Sequence, residues 1–257
     1  MGFMDGCVAI VTGGSTGIGY GCAEAMAAAG CTVILTARTE ADGQKAEADL
    51  KALGLPVAYM RQDVSSEDDW KRLLGEVDAK YGRLDFLINN AGISQLFPIE
   101  ETTAESLKTL VSVNLTGAYY GVKHAAPAII AAYDQRGFPG MIVNVSSVLS
   151  RIGQAGAVAY CATKGGMAGM NQVYERLLVD QKDKVQIKSI LPGYTMTPQV
   201  DKAIGRDSPL VTELAQTIPL RRWGEPEETA DALMMMLNPA IALEDMEVLV
   251  DGGFLAS

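Results

Sequence analysis

Short apolar runs alternate with longer helical patterns along this chain, and this alternation constrains the fold more than any other feature. The runs predicted as strands are 7–11, 32–36, 57–61, 86–89, 141–145, 186–190 and 247–250. The segments predicted as helices are 18–29, 41–53, 67–81, 104–132, 158–180 and 226–237. Strands that alternate with helices indicate a parallel sheet covered on both faces. The sequence therefore predicts an α/β fold.

The organisation along the chain is that expected of one domain over 1–257. The chain has 257 residues, and neither a Gly/Ser-rich linker nor an internal repeat divides it. The least regular stretch contains Pro198, Gly205, Pro209, Pro219, Gly224 and Pro226. Such a segment is typical of a lid or binding loop, here predicted near 197–224, and a connecting surface loop is the alternative.

Composition limits the partners and the compartment. Hydrophobic residues make up 48% of the chain and charged residues 20%, which fits a soluble globular protein with a large core. The net charge of −10 disfavours nucleic acid and anionic membranes, because both attract basic surfaces. The N-terminus carries no secretory signal, and no apolar stretch reaches about 18 residues. We therefore expect a cytoplasmic protein with a small-molecule substrate, no nucleic acid and no membrane partner.

No metal site is expected. None of the four cysteines has metal-ligand spacing, and His124 is the single histidine. We interpret the cysteines as buried thiols and His124 as a packing or surface residue of a helix.

A glycine turn, TGGSTGIG, spans Thr12 to Gly19 between a predicted strand and a predicted helix. Glycine lets the backbone approach a ligand, and a helix N-terminus presents free N–H groups to phosphate. This context favours a dinucleotide-binding turn. An ATP-binding P-loop is the competing interpretation, but Tyr20 occupies the position where that motif requires lysine.

The end of the second strand bears on the choice of cofactor. NAD-binding proteins usually carry an acidic residue there, which accepts hydrogen bonds from the ribose. Ala37 stands at that position, and Arg38 follows with a guanidinium that can pair with a 2′-phosphate. This favours NADP(H). NAD(H) stays open, because Arg38 can also be a surface arginine or stack on the adenine.

Tyr160 and Lys164 stand four residues apart on a predicted helix, and Ser147 lies thirteen residues before Tyr160. Residues at this spacing share one helical face, about 6 Å apart along the axis. An ammonium group there is expected to lower the pKa of the tyrosine, so that the phenol can exchange a proton near neutral pH. Together with the glycine turn, this pair indicates proton transfer beside a nicotinamide cofactor.

These motifs resemble the short-chain dehydrogenase/reductase family over nearly the whole chain. TGGSTGIG matches the TGxxxGxG turn of the family, and residues 89–92 match its NNAG motif. Asn114, Ser147, Tyr160 and Lys164 match its catalytic tetrad. Pro192-Gly193 matches the PG turn, and residues 251–253 match the C-terminal DGG. The resemblance implies a single Rossmann-type, doubly wound domain with a seven-stranded parallel sheet, and a homotetramer or homodimer.

The resemblance also implies roles for individual residues. Ser147 would hydrogen-bond the substrate oxygen, and Tyr160 would exchange a proton with it. Lys164 would hold the nicotinamide ribose and depress the pKa of Tyr160, while Asn114 would position a water leading to Lys164. The residues expected to bind the cofactor are Gly13, Ser15, Thr16, Ile18, Gly19, Arg38, Asp63, Val64, Asn90, Ala91, Gly92, Tyr160, Lys164, Pro192, Gly193, Thr195 and Thr197.

Two positions depart from the family pattern. Many NADP-dependent members carry a basic residue where Thr16 stands, which weakens the assignment of NADP(H). The usual Thr-Gly turn before the last strand is replaced by the shorter segment 238–245, which bears on the local turn and on subunit contacts.

The function predicted from these residues is the reduction of a ketone, or the oxidation of a secondary alcohol, with NADP(H). The substrate pocket is expected to contain Ser94, Gln95, Ser147, Leu149, Gln154, Tyr160 and Tyr194, beside the 197–224 lid. This mixture of apolar, amide and hydroxyl groups favours a medium-sized, fairly apolar ketone. One alternative is a 3-oxoacyl-[acyl-carrier-protein] reductase, against which the acidic pI of about 4.7 argues. A non-catalytic cofactor-binding regulator is another, and such proteins often lose Tyr or Lys from the tetrad.

Overall fold

The computed structural model describes residues 2–94, 98–243 and 246–256. Its strands are β1 (Val8–Thr12), β2 (Thr32–Ala37), β3 (Val57–Arg61), β4 (Phe86–Asn89), β5 (Gly140–Val145), β6 (Val185–Pro192) and β7 (Glu247–Val250). They form one sheet in the order β3-β2-β1-β4-β5-β6-β7, and every pair is parallel. This confirms the predicted seven-stranded parallel sheet. The order of strands reverses between β1 and β4, where such folds bind ligands at the carboxyl ends.

The helices lie between the strands in the chain. They are α1 (Gly17–Ala28), α2 (Glu40–Ala52), α3 (Glu67–Tyr81), α4 (Ala104–Leu110), α5 (Gly117–Ala131), α6 (Tyr133–Arg136), α7 (Val158–Leu177), α8 (Pro198–Ile204), α9 (Pro209–Ala215) and α10 (Pro226–Leu237). Among the described residues, no helix is both long and apolar enough to cross a membrane.

Two hydrophobic clusters form the core, one on each face of the sheet. Within β1, Ala9 and Val11 belong to the cluster that contains Met26 of α1 and Leu233 of α10. The intervening Val8 and Ile10 belong to the other cluster, which contains residues of α3 and α5 such as Trp70 and Ile129. Successive side chains of a strand point to opposite faces, so a strand covered on both sides must be apolar throughout. This explains why β1 reads as a continuous apolar run.

The segment 104–132 that was predicted as helical is helical from 104 to 131, but it is not α-helical throughout. Helix α4 ends at Leu110, and a π-helical turn over Val111–Thr116 joins it to α5. A π turn holds one extra residue and is frequent at functional sites. Here the turn carries Asn114, which is fully buried and hydrogen-bonded to another segment of the chain. Those bonds offset the poorer geometry of the turn.

The segment 197–224 is more regular than its composition suggested. Pro198 and Pro209 each begin a short helix, α8 and α9, because proline is favoured in the first turn of a helix. The side chains of Thr197 and Ser208 cap these two helices by accepting from backbone N–H groups. Two of the prolines that suggested an irregular segment therefore begin helices.

Candidate active site

The glycine turn lies against the segment that follows β4. A Cβ atom on Gly13 would stand 2.9 Å from Cα of Ala91, and one on Gly19 would stand 2.3 Å from Nδ2 of Asn90. Thr12 Oγ1 accepts from the backbone N–H groups of Asn90 and Ala91, at 3.0 Å each. Any residue larger than glycine would separate the two segments, so these glycines fix the distance between the turn and the NNAG motif.

The N-terminus of α1 leaves its N–H groups without a side-chain cap. Thr16 stands at the capping position in an extended conformation but accepts no hydrogen bond from the helix. By contrast, α3, α4, α8 and α9 are each capped by a Ser or Thr side chain. Gly17 has a φ of +56°, and a Cβ on it would lie 3.2 Å from Cβ of Thr197. The turn thus forms a narrow backbone cradle beside the start of the 197–224 segment, and it fits a dinucleotide phosphate.

The ends of β2 and β3 form the part of the site expected to hold the adenosine. Ala37 is buried, while Arg38 is exposed and makes no hydrogen bond or ion pair with the part of the chain that the structure describes. The Asp63 carboxylate accepts from the N–H and hydroxyl of Ser65. Val64 is buried against Gly117, where a Cβ would lie 3.0 Å from its side chain.

Asn114 is held rigidly by its neighbours. Its Oδ1 accepts from the N–H of Ile93 at 2.8 Å, and its Nδ2 donates to the carbonyl of Ile93 at 2.9 Å and to Thr163 Oγ1 at 3.3 Å. Thr163 Oγ1 in turn donates to the carbonyl of Tyr160 at 2.8 Å. A Cβ on Gly92 would lie 3.4 Å from Asn114 Oδ1 and 3.8 Å from Lys164 Nζ. These contacts bring Gly92, Asn114 and Lys164 together.

Lys164 is 4% exposed, and its ammonium lies in the protein interior. Its Nζ donates to the carbonyl of Val145 at 2.8 Å and stands 5.7 Å from the centroid of the Tyr160 ring. Burial lowers the pKa of Lys164 to about 8, because the low dielectric disfavours the charged form.

The expectation that Lys164 lowers the pKa of Tyr160 is wrong for this structure. Burial raises the pKa of Tyr160 to about 12, and a hydrogen bond from Ser147 opposes that shift only in part. Lys164 is not among the groups that shift this pKa, and its Nζ donates to the Val145 carbonyl.

Ser147 completes the tetrad. It is 9% exposed and begins the short 3₁₀ turn Val148–Ser150, whose N–H at Leu149 donates to Ser147 Oγ at 3.1 Å. The Ser147 side chain also acts on Tyr160, whose pKa it lowers. Two hydroxyls thus meet at the carboxyl edge of the sheet, where a substrate oxygen can accept from both.

The PG turn and the DGG motif pack against each other. A Cβ on Gly193 would lie 2.9 Å from Cα of Asp251, and the N–H of Gly193 donates to the carbonyl of Val250. Thr195 Oγ1 donates to the carbonyl of Gly193, and Thr195 pairs with Gly224 in an isolated β-bridge. Pro192 closes β6, so this turn directs residues 194–197 across the carboxyl edge.

The predicted substrate residues are brought together only in part. Tyr194 OH donates to Gln154 Oε1 at 3.3 Å, which links the loop after β5 to the segment after β6. Leu149 is half-buried, and Ser94 is exposed. Gln95 lies outside the described residues.

Two aromatic residues that the sequence did not place in the pocket lie beside Tyr194. The ring of Trp223 lies 5.0 Å from that of Tyr194, and the ring of Phe254 lies 5.4 Å from it. Trp223 and Phe254 are far from Tyr194 along the chain, so the sequence did not indicate these contacts. The position of Trp223 within the predicted lid was the available signal.

A cavity of about 660 Å³ lies between the α8–α9 segment and residues 221–228. Its lining contains Trp223, Arg206 and Arg222 but no member of the tetrad. The cavity is therefore formed by the 197–224 segment and the start of α10, apart from the tetrad.

Sequence reasoning also missed a row of buried polar side chains below the tetrad. Asn89 donates to Asn144 at 2.8 Å, Asn144 to Asn171 at 2.6 Å, and Asn171 to Ser189 at 2.6 Å. Asn89, Asn144 and Ser189 stand in register on β4, β5 and β6. The amides at the ends of predicted strands were the available signal.

A family model described as short chain dehydrogenase matches residues 7–207. The chain belongs to this family. L-fucose dehydrogenase of Mus musculus is 34% identical to it, over 97% of this chain and 88% of the relative. The 2,5-dichloro-2,5-cyclohexadiene-1,4-diol dehydrogenase of Sphingobium indicum is 32% identical over the full length of both. Cis-4-hydroxycyclohexanecarboxylate dehydrogenase of Sinomonas cyclohexanicum is 32% identical, over 97% of this chain and 96% of the relative.

A solved structure of an Agrobacterium tumefaciens protein, assigned as a gluconate dehydrogenase, superposes on this short-chain dehydrogenase with a TM-score of 0.89. The two are 27% identical, and the match covers 99% of this chain and 98% of the other. The short-chain dehydrogenase is thus a Rossmann-type oxidoreductase that acts on CH–OH groups of small molecules with a nicotinamide cofactor.

Proposed function

We propose that this short-chain dehydrogenase transfers a hydride between NADP(H) and a secondary alcohol or its ketone, with Tyr160 as the general acid and base. The observation that carries the proposal is the grouping of Tyr160 with the buried Lys164, whose Nζ lies 5.7 Å from the Tyr160 ring, and with Ser147, which lowers the pKa of the phenol. Two hydroxyl donors that meet at one point suit an oxygen on which negative charge develops.

Each residue has a distinct task in this mechanism. When bound, the nicotinamide would supply the hydride acceptor for oxidation and the hydride donor for reduction. Ser147 donates to the substrate oxygen and holds it, and Tyr160 gives its proton to that oxygen in reduction. The raised pKa of Tyr160 keeps the phenol protonated at neutral pH, which suits this role as the acid. In oxidation Tyr160 must first pass its own proton on before it can take the proton of the substrate hydroxyl. Lys164, with a pKa of about 8, can carry the proton onward, and Asn114 would position a water on that path.

NADP(H) is the proposed cofactor because of Arg38. The guanidinium follows a buried Ala37, is exposed and is unpaired among the described residues, so it is available to a 2′-phosphate. Position 37 is alanine, so it offers no acidic side chain to bind the ribose of NAD.

The proposed substrate is a ring-shaped secondary alcohol. L-fucose dehydrogenase and the two Sphingobium and Sinomonas enzymes are named for ring alcohols that carry a further oxygen. The predicted pocket residues combine aromatic and amide groups, which suit the apolar faces and polar edge of such a ring. The segment 197–224 would act as a lid over it, within a single domain formed by 1–257.

Reduction of a carrier-bound 3-oxoacyl group is less well supported. An acidic carrier protein needs free basic groups near the pocket. Near the lid, Arg206 is paired with Glu225 at 2.5 Å, and Arg222 with Glu228 at 2.7 Å. These two pairs neutralise Arg206 and Arg222, so that Arg221 is the arginine of this segment without an ion pair among the described residues.

We further propose that the enzyme is a cytoplasmic homotetramer or homodimer. The exposed surface carries large apolar side chains, namely Val173 and Leu177 of α7 and Tyr119 of α5. Apolar side chains are favoured at contacts between subunits, so these residues support an oligomer. Light scattering on the purified protein would measure the mass directly.

The test is a substrate panel with NADP(H) and NAD(H) in parallel and Tyr160→Phe as the control. We expect turnover with NADP(H), lost in Tyr160→Phe. Turnover with NAD(H) alone would refute the role of Arg38 and leave the acid–base mechanism intact. Cofactor binding without any turnover would favour a regulator, and turnover restricted to carrier-bound ketones would favour the acyl-carrier alternative.

A further inference from the structure

Tyr194 is held on three sides by residues from distant parts of the chain. Its hydroxyl donates to Gln154, and its ring contacts Trp223 at an interplanar angle of 39° and Phe254 at 72°. These partners come from the loop after β5, the end of the α8–α9 segment and the 3₁₀ turn after β7. Such contacts fix the ring, because each removes some of its rotational freedom. Tyr194 is therefore a rigid support.

This cluster lies beside the reacting hydroxyls. Gln154 and Ser147 belong to the same loop between β5 and α7, and this loop is closed by a bond from the N–H of Ala157 to the carbonyl of Gln154. Tyr194 follows the PG turn directly. The adjacent strands β5 and β6 stay hydrogen-bonded as far as Ser146, whose N–H donates to the carbonyl of Ile190. The Tyr194–Gln154 bond therefore crosses the same edge of the sheet at which Ser147 and Tyr160 meet.

The bond also fixes which atoms Gln154 can offer to a ligand. Its Oε1 accepts from Tyr194, so the amide NH₂ points away from that contact. Nε2 makes no hydrogen bond to any described residue, and Gln154 is half-buried. The Gln154 side chain thus presents two N–H donors on the side away from Tyr194, which occupies one lone pair of Oε1. Oriented donors select for an oxygen atom on the substrate, separate from the oxygen that reacts.

The aromatic residues supply the complementary surface. Tyr194, Trp223 and Phe254 are each half-buried, so part of every ring stays open to a ligand. Flat aromatic faces pack well against the C–H faces of a saturated ring, while the amide lies at the polar edge.

We propose that Gln154, oriented by Tyr194, is the residue that selects substrates carrying a second oxygen besides that of the reacting hydroxyl, and that the substrate class is a cyclic diol or polyol. This inference rests on the proposed alcohol oxidation. A site that offers fixed donors to a substrate oxygen disfavours the analogue that lacks it, because the donors are then left without a partner.

The experiment compares alcohols that differ only in the second oxygen. Oxidation of cyclohexane-1,2-diol and of cyclohexane-1,4-diol, each as the better of its cis and trans isomers, is measured against oxidation of cyclohexanol, and the larger ratio of kcat/KM values is taken. We expect the wild-type ratio to favour the diol. Gln154→Met keeps the side-chain length and removes both donors, so the ratio should fall by about tenfold or more. Tyr194→Phe keeps the ring and frees the amide, so the fall should be smaller.

Gln135→Met is the matched control. Gln135 is exposed near the end of α6, at the opposite edge of the sheet, and the ratio should stay at the wild-type value. A wild-type ratio near one, or an unchanged ratio in Gln154→Met, would overturn the inference while the proposed function stands.

A binding measurement separates this inference from the reaction. The two tryptophans are Trp70, which is fully buried, and Trp223, which contacts Tyr194. Cyclohexane-1,2-diol added to the protein with saturating cofactor should quench the fluorescence of Trp223, and Trp223→Phe identifies that signal. Suppose that the diol binds, that Gln154→Met weakens this binding, and that no alcohol is oxidised. The proposed function is then wrong, while the role of Gln154 in binding a second oxygen is supported. If the wild type gives no diol-dependent signal and no preference in turnover, the inference is wrong.

Discussion

Each edge of the sheet buries a charged side chain, and the two charges differ in how many partners they have. At the amino edge, Asp85 is 0% exposed and accepts from Arg83, from Arg136 and from the N–H of Val8. At the carboxyl edge, Lys164 is 4% exposed and donates to one carbonyl, that of Val145. The first charge is fully compensated and serves stability. The second is left under-compensated and can gain or lose a proton, which suits catalysis.

The largest effect is expected at the carboxyl edge, in Lys164→Met. Removing the ammonium should lower kcat by about 100-fold or more, because the route of the proton is lost. The free energy of unfolding at pH 7 should rise, because a poorly paired buried charge is removed. Steady-state oxidation and urea unfolding measure the two quantities. Lys182→Met, on an exposed pair with Glu175, is the control and should change neither. Wild-type turnover in Lys164→Met would remove Lys164 from the mechanism.

The amino edge should respond in the opposite way to Asp85→Asn. The Arg136 side chain is 0% exposed, and the substitution leaves its charge without a carboxylate. We expect a loss of about 3–5 kcal/mol of stability, with the kcat of the folded enzyme retained. Urea unfolding gives the first value and active-site-normalised kinetics the second. Asp68→Asn, on a surface pair with Lys71, should cost under about 1 kcal/mol. An equal cost at both sites would show that burial of the network contributes nothing.

The pH dependence of stability sharpens the same comparison. The pKa of Lys164 is about 8 in the folded state and about 10.4 when unfolded, so between these values the unfolded chain binds more protons. Stability conferred through this group therefore rises with pH across that window, by about 3 kcal/mol in total. The excess stability of Lys164→Met over the wild type should shrink from pH 7 to pH 10. A constant difference would mean that Lys164 titrates alike in both states.

A smaller effect is expected in the polar row below the tetrad. Ser189→Ala removes the acceptor of Asn171 Nδ2, and a buried donor left unpaired costs about 1–3 kcal/mol. In the Ser189→Ala background, Asn171→Ala should cost less than in the wild type, because the shared bond is already lost. Urea unfolding of the four proteins gives the coupling energy, and additive costs would show that the two side chains act separately.

Much of the fold followed from the sequence because it depends on local patterns. The apolar run at 86–89 and the helix at 67–81 were predicted at their observed bounds, since burial on both faces and a 3.6-residue period are properties of the segment itself. The π-helical turn within 104–132 could not be predicted from the sequence, because its residue Asn114 is bonded to Ile93, in a distant part of the chain.

The candidate site divides in the same way. The tetrad and the glycine turn were found through motifs, and their roles stay predictions. The pKa of Tyr160 was predicted in the wrong direction, because spacing along a helix places Lys164 nearby but does not say which atom its ammonium faces. The partners of Asp85 escaped notice because Arg136 lies 51 residues away in the chain.

The π-helical turn at Val111–Thr116 records a change in length as well as a shape. The one extra residue is absorbed within the wider turn, whereas an unbroken α-helix of the same sequence would rotate everything that follows by about 100°. Deleting a single residue there would therefore restore an ordinary α-helix and leave α5 facing α3 and the sheet. What such a deletion would remove is the wider turn that carries Asn114 to Ile93. The extra residue thus belongs to the candidate site and not to the packing of α5.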